Sequence, residues 1–397
     1  YLPGVAEVQI SKPGLGKFKV LKGTKWTEMS QGELIPLDSE GKAKIRYIPP
    51  DYLQKAELTE TLTISSKNDG HVQIWIAKVP LTFTYFSQDD QKIERTLDVM
   101  VCRPPVMLVH GFTGDLTTWR ALKEYLQKKE KFHSVNRDYG GTPKSTISDL
   151  GKILLANIKE QKDLYSQANI KITKVDVVAH SMGGLITRSY SQGLSGDYRG
   201  DVRKLIMVGT PNHGVPCYDE AAGRVASWWF NYRHWTTLDD LDNESLFLAV
   251  LNLGEATGQH LIPDVQYANL IGRRFNFWID DDGMPQKWYD NHDGVIYNAS
   301  SHLNGVMEYR FDAYLHSPAA PGDGQINRVL TTDQIIWNKI VELLLKDIPR
   351  APLSSTRIQI LRGEGEVYVK SSGKGQQAVK KYPLKVRPSD TIHTGEG

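Results

Sequence analysis

Ser181 stands where a nucleophile would have to stand. It follows a short apolar, β-branched run from Val175 to Val178, of the kind that forms a strand buried on both faces. Gly183 and Gly184 come next, and then a helical pattern carrying Leu185, Ile186 and Tyr190. A sharp strand-turn-helix corner pushes the serine side chain out past the sheet edge and turns backbone N–H groups toward it. Such a corner needs small neighbours, here Ala179 and Gly183, giving the pattern A-x-S-x-G. Alone, the same five residues also fit an ordinary strand–helix turn with a serine capping the helix. Whether the other parts of an acyl-transfer site follow in the required order decides between the two.

Cleavage of an ester or amide by a serine needs a histidine to take its proton, a carboxylate to orient that histidine, and backbone donors for the oxyanion. On a doubly wound sheet the acid follows the serine in the chain and the histidine follows the acid. Asp280, Asp281, Asp282, Asp290, Asp293 and Asp312 are the candidate acids. Asp293 leads because Gly294-Val295-Ile296 makes a tight turn into an apolar stretch after the strand at 265–271. Of the 11 histidines, His302, His316 and His393 come later in the chain than Asp293. His316 is the candidate base, just past a strand and before a Gly/Pro-rich loop; His302 reads as a loop residue and His393 belongs to another region. The oxyanion donors fall to the N–H of Met182, next to the nucleophile, and the N–H of Phe112, in the loop opened by His110-Gly111. His110 is expected to support that loop by hydrogen bonding. His180 is expected to point elsewhere on the corner, as a structural residue.

The elements around these residues divide the chain. Residues 1–103 show about six short alternating runs separated by turn residues such as Pro13-Gly14 and Pro49-Pro50, which predicts an all-β sandwich domain. Their pattern loosely resembles immunoglobulin-like modules. Arg103-Pro104-Pro105 is a stiff junction. From 104 to about 350, strands near 106–109, 134–139, 175–178, 204–208, 265–271 and 307–311 alternate with helices near 117–131, 145–165, 185–190 and 332–345. That is an α/β fold, a doubly wound mostly parallel sheet. The region 280–293 reads as a polar loop. The segment 215–263 interrupts the alternation and carries Trp228, Trp229, Phe230, Tyr232 and Trp235. Residues 351–397 return to a β-like pattern.

With 397 residues, 40% hydrophobic, the chain can bury a large core. A formal net charge of +2 with no basic block argues against nucleic acid as a partner. No apolar run reaches the length of a membrane span. No His/Asp cluster has ligand spacing, so no metal and no cofactor are expected. Cys102 and Cys217 are either a pair or two buried thiols. The start at Tyr1 suggests a chain numbered after a processed or trimmed leader.

Five motifs then stand in order: Val109–Gly114 (V-H-G-F-T-G), Ala179–Gly184 (A-H-S-M-G-G), Gly209–Gly214 (G-T-P-N-H-G), Asp293–Val295 and Leu315–Ser317. Over residues 104–348 they resemble the α/β-hydrolase fold, and more narrowly bacterial triacylglycerol lipases and carboxylesterases. The resemblance implies Ser181 as nucleophile, His316 as base, Asp293 as acid and Phe112 with Met182 as the oxyanion hole. It also implies an acyl ester or lipid substrate, with 215–263 as a lid whose Trp228, Trp229, Phe230 and Trp235 meet an acyl chain or a lipid interface. A fixed aromatic cap is the alternative reading of that segment. Residues 386–397 resemble a FecR-type β-module that stops partway, as in a fragment of a longer bacterial protein. The flanking β-modules suggest a secreted or surface-attached enzyme, with those modules contacting the cell surface or other domains. An acyltransferase, a thioesterase or a polyester depolymerase would use the same three residues. A non-catalytic binding protein on this fold is a further alternative.

Overall fold

The computed structural model describes residues 5–12, 14–30, 32–68, 70–86, 92–139, 144–215, 235–279, 284–318, 327–352, 367–371, 377–379 and 390–394. The chain divides into two compact units. One comprises Tyr1–Pro104 with Glu130–His133 and Leu164–Lys171; the other comprises Pro105–Lys129, Ser134–Asp163 and Ile172–Gly397.

The first unit is built from antiparallel strands: β1 (Val5–Ile10), β2 (Lys17–Lys22), β3 (Lys25–Met29), β4 (Leu34–Pro36), β5 (Ile45–Ile48), β6 (Glu60–Ser66), β7 (Gly70–Phe86) and β8 (Lys92–Cys102). They form a five-stranded sheet, β4-β1-β7-β6 with β8 on β7, and a three-stranded sheet, β3-β2-β5. Alternate residues of both sheets meet in one core: Val8 and Ile10 of β1, Phe18 and Val20 of β2, Ile35 of β4, Ala77, Val79 and Leu81 of β7. Each fully buried aliphatic side chain there contributes roughly 1.5–3 kcal/mol. β3 and β4 are absent from the sequence reading, because their short, mostly exposed runs lack a clear apolar alternation. Cys102 ends β8, and burial pushes its thiol up to about 12. Cys217, its possible pair, lies outside the described residues.

The second unit is organised by a six-stranded parallel sheet in the order β10-β9-β11-β12-β13-β16. Its strands are β9 (Val106–Val109), β10 (Ser134–Asn136), β11 (Val175–His180), β12 (Val202–Val208), β13 (Gln266–Arg273) and β16 (Met307–Asp312). Every residue of β9 and β11 is buried, as strands of a doubly covered sheet require, with Asp176 and His180 the polar members of β11. The helices are α1 (Arg120–Lys128), α2 (Ile147–Gln167), α3 (Met182–Ser191), α4 (Thr236–Leu241), α5 (Leu246–Leu251), α6 (Asn298–Ser301) and α7 (Gln334–Leu344). A capping box opens α2: Thr146 Oγ1 accepts from Asp149 N at 3.1 Å while the Asp149 carboxylate accepts from Thr146 N at 3.2 Å. Asp333 caps α7 by accepting from Ile335 N, and Ile336, Ile340, Leu343 and Leu344 form its buried stripe.

The region read as a polar loop instead holds part of an antiparallel hairpin, β14 (Phe275–Ile279) and β15 (Pro285–Tyr289). It projects between β13 and Asp293. Its acidic turn residues, Asp280 to Asp282, lie outside the described residues. So do 216–234, with Trp228, Trp229 and Phe230. Val215 and Asp242 pair as an isolated parallel bridge. A short parallel pair, β17 (Tyr314–Leu315) with β18 (Arg328–Val329), precedes α7. Toward the C-terminus β19 (Val367–Ser371), β20 (Gln377–Val379) and β21 (Asp390–Thr394) form a small antiparallel sheet. The runs read as strands at 357–361 and 382–386 lie outside the described residues. Among the described residues no helix is long and apolar enough to cross a membrane.

Candidate active site

Ser181 sits between the end of β11 and the start of α3 with φ 53° and ψ −129°. This left-handed backbone is rare for a residue with a Cβ and costs on the order of 1–3 kcal/mol. It is held by the Ser181 N–H donating to Val208 O at 2.9 Å and by Gly184 N donating to Ser181 O at 3.0 Å. The corner is as crowded as the small-neighbour pattern requires: a Cβ on Gly183 would come within 2.7 Å of Val109 O. The loop after β9 closes on the serine from the other side. A Cβ on Gly111 would lie 2.6 Å from Ser181 Cβ and 3.2 Å from its Oγ.

That loop is pinned by His110. Its Nε2 accepts from Tyr139 N at 2.9 Å, so its Nδ1 carries the proton and donates to Gly111 O at 2.9 Å. The Trp119 indole N–H donates to Val109 O at 3.0 Å. Phe112, next in the loop, is buried and packs edge-on against Trp235, ring centroids 5.6 Å apart. Met182 is the first residue of α3, where helical N–H groups point outward along the axis.

Asp293 and His316 meet at the same edge of the sheet. His316 Nδ1 lies 2.8 Å from Asp293 Oδ2, and both side chains are buried. The other carboxylate oxygen accepts from Val295 N at 3.1 Å and Ile296 N at 2.7 Å. A second tie joins the pair, His316 N to Asp293 O at 2.8 Å. Gly209, at the end of β12 with φ 61°, makes room for them: a Cβ there would stand 2.9 Å from His316 Nδ1 and 3.3 Å from Asp293 Oδ2. With Nδ1 donating to the carboxylate, the ring's basic nitrogen is Nε2. Among the described residues the Ser181 hydroxyl and His316 Nε2 make no hydrogen bond, to each other or to a third group. A serine–histidine bond of this kind is often long in a ligand-free site and tightens with substrate.

The other candidates are engaged elsewhere. Asp290 pairs with Arg274 at 3.1 Å and Asp312 with Arg273 at 3.2 Å. His302 Nδ1 meets Glu308 Oε1 at 2.8 Å, and His393 lies in β21. His180 departs from its expected place. Its Nε2–H donates to His316 O at 3.0 Å, and its ring lies against the His316 ring with centroids 4.5 Å apart. Burial and the neighbouring His316 hold its pKa well below the usual imidazole range.

A buried polar group behind α3 went unread in the sequence. Arg188, two helical turns after Ser181, is fully buried. Its guanidinium donates to Asn212 Oδ1 at 2.9 Å, Asn252 Oδ1 at 2.7 Å and Leu251 O at 3.2 Å. Burial lowers its pKa to about 10, so it stays charged. Beside it His213 Nε2 meets Glu255 Oε2 at 2.7 Å. Burial raises the Glu255 pKa, but the His213 bond and charge and the Asn304 N–H outweigh it and bring it down to about 2. Asn212 and His213 belong to the G-T-P-N-H-G loop, so these bonds fix the segment that begins under His316 at Gly209. A lone cation in a helix whose every residue is buried is the feature that marks it.

No curated protein matches the sequence. Among solved structures, a Bacillus licheniformis lipase, BlEst2 in its propeptide form, aligns with 17% identity and a TM-score of 0.45 over 67% of this chain and 54% of that one. The chain thus spans about half the length of that protein. A Legionella pneumophila phospholipase, PlaB, aligns with 15% identity and a TM-score of 0.45 over 61% of this chain and 60% of that one. Lipase B of Aspergillus fumigatus aligns with 13% identity and a TM-score of 0.42 over 62% and 54%. The parallel sheet with Ser181 at its central strand–helix corner is an α/β-hydrolase fold. Over residues 102–243, which hold that corner but neither Asp293 nor His316, the sequence is similar to the PGAP1-like alpha/beta domain family.

Proposed function

We propose that this protein is a serine hydrolase of the lipase/esterase type, cleaving carboxylic esters through an acyl-enzyme. The observation that carries the reading is the buried Asp293–His316 pair, 2.8 Å apart, at the sheet edge where Ser181 occupies a strained corner. In this mechanism Ser181 Oγ comes within hydrogen-bond reach of His316 Nε2. The imidazole takes the hydroxyl proton as Oγ attacks the ester carbonyl carbon, and Asp293 holds the imidazolium that results. The N–H groups of Met182 and Phe112 receive the oxyanion. The alcohol leaves with the proton from His316, and water attacks the acyl-enzyme by the same route. Phe112 and Trp235 are the aromatic pair that would meet the acyl group at the base of the lid.

Hydrolysis of p-nitrophenyl esters tests this. Wild-type protein should turn them over, and Ser181→Ala should lose at least ~10³-fold in kcat/KM. Unchanged activity in that variant would end the reading. Product partition between water and an added alcohol separates hydrolase from acyltransferase, and acyl lengths from acetate to palmitate separate esterase from lipase. Secretion or surface attachment, an immunoglobulin-like identity for the N-terminal sheets and a FecR-like C-terminal segment belong to the same proposal. They rest on sequence resemblance and on the antiparallel build of those segments.

A further inference from the structure

We propose that His180 is a positioning residue that holds the His316 imidazole in its working orientation. The inference rests on the reading of Ser181, His316 and Asp293 as a triad. His180 is the last residue of β11, adjacent to Ser181, so the strand that aims the nucleophile also aims this ring. Its Nε2–H donates to His316 O at 3.0 Å, and the two ring centroids lie 4.5 Å apart with the ring planes tilted by 37°. Trp119 also packs on His180, edge-on at 6.1 Å. Trp119 is itself fixed by its bond to Val109 O, in the strand that leads to the Phe112 loop.

His316 is thus gripped at four points: Nδ1 and N–H by Asp293, carbonyl and ring face by His180. Asp293 alone fixes one ring nitrogen and leaves a swing about that bond. The His180 ring blocks the swing on one face, and its hydrogen bond fixes the backbone from which His316 hangs. A misplacement of about 1 Å at a reacting group can cost on the order of 10²-fold in rate. The burial that holds His180 neutral suits this role, because two cationic rings at that separation would repel whenever His316 took a proton.

The test pairs turnover with a second readout that does not depend on acyl binding: the rate at which a fluorophosphonate labels Ser181, which needs the base but no particular acyl group. His180→Leu should slow both labelling and kcat roughly 10-fold or more with KM within about twofold, since the acyl site is untouched. His180→Gln, whose amide nitrogen falls near the position of Nε2, should recover to within about threefold of wild type. His180→Asn, whose amide reaches only the Nδ1 position, should not. The Gln–Asn contrast decides the matter even if the Leu variant fails to fold. Equal rates for the Gln and Asn variants, or wild-type labelling in the Leu variant, would overturn the proposal. If wild-type protein is not labelled at Ser181, or His316→Ala labels as fast as wild type, the triad reading itself falls and takes this proposal with it.

Discussion

The parallel sheet buries charge at both ends and uses it in opposite ways. At the N-terminal end of its strands Asp176 is fully buried and grips Arg203 through Nε at 2.8 Å and Nη2 at 2.5 Å. Beside it the buried Lys204 ammonium donates to Leu343 O at 2.6 Å and to Leu344 O at 3.4 Å, at the C-terminus of α7. A cation at the carbonyl end of a helix is the favourable arrangement for the helix dipole. Each charge there ends on a partner that does not change. At the C-terminal end the buried carboxylate of Asp293 faces an imidazole instead of a guanidinium. An arginine keeps its proton throughout; a histidine can take one and give it back. The two carboxylates differ in the cation they face, and in the proposed mechanism that choice separates a fastening from a site for chemistry.

Breaking each end should therefore show in a different measurement. The largest effect belongs to the catalytic end: His316→Ala should cut kcat/KM on a p-nitrophenyl ester about 10³–10⁴-fold while urea unfolding moves little. At the other end Asp176→Ala should cost about 3 kcal/mol in urea unfolding, because it removes the carboxylate that holds Arg203 through two nitrogens, and leave kcat near wild type. Arg203 keeps some contact with solvent, which holds the figure toward the low end of the buried-pair range. A large loss of kcat in Asp176→Ala with normal stability would erase the distinction between the two ends.

The geometry of the candidate site, as distinct from its chemistry, was partly legible in the sequence because its constraints are local. A corner needs a strand, a small residue and a helix start, and those sit within ten residues of Ser181. The order of acid and histidine follows from the winding of the sheet, which led to Asp293 and His316 without any contact information. Arg188 and His180 were not legible in their present roles. Helical spacing can put a cation on an inner face, but only the packed loop from Asn212 and the turn near Asn252 show what receives it. For His180, the direction of the ring depends on Trp119 and His316, both distant in sequence. The hairpin β14–β15 was hidden by its three consecutive aspartates, whose polarity reads as loop although β-strands flank them.

Glu255 sharpens the comparison, because it is a buried charge near the catalytic end with a fastening role. Its carboxyl titrates near 2 in the fold against about 4.5 ordinarily. A depressed carboxyl stabilises the folded state above its unfolded pKa, and that contribution is lost as pH falls from about 4.5 through 2. Wild type should therefore exceed Glu255→Gln in urea stability by on the order of 2 kcal/mol at pH 7. The gap should narrow steadily from pH 4.5 toward 2.5. No gap at pH 7 would mean that the bond from Asn304 N, which a glutamine carbonyl still accepts, does the fastening and not the charge facing His213.

The smallest effect concerns the strain at the corner itself. Ser181 and Ala313 both have a Cβ at positive φ, 53° and 63°. Glycine adopts such backbone at little cost, so Ser181→Gly and Ala313→Gly should each stabilise the fold by about 1 kcal/mol, net of glycine's larger unfolded-state entropy. Only the first should abolish ester turnover. Ser181→Ala separates the two contributions, because it removes the hydroxyl and keeps the Cβ: it should be inactive without the gain in stability. If Ser181→Gly gains nothing while Ala313→Gly does, the energy of the corner is already offset by the bonds to Val208 O and Gly184 N. The strained backbone would then belong to the fastened part of the molecule and not to its chemistry.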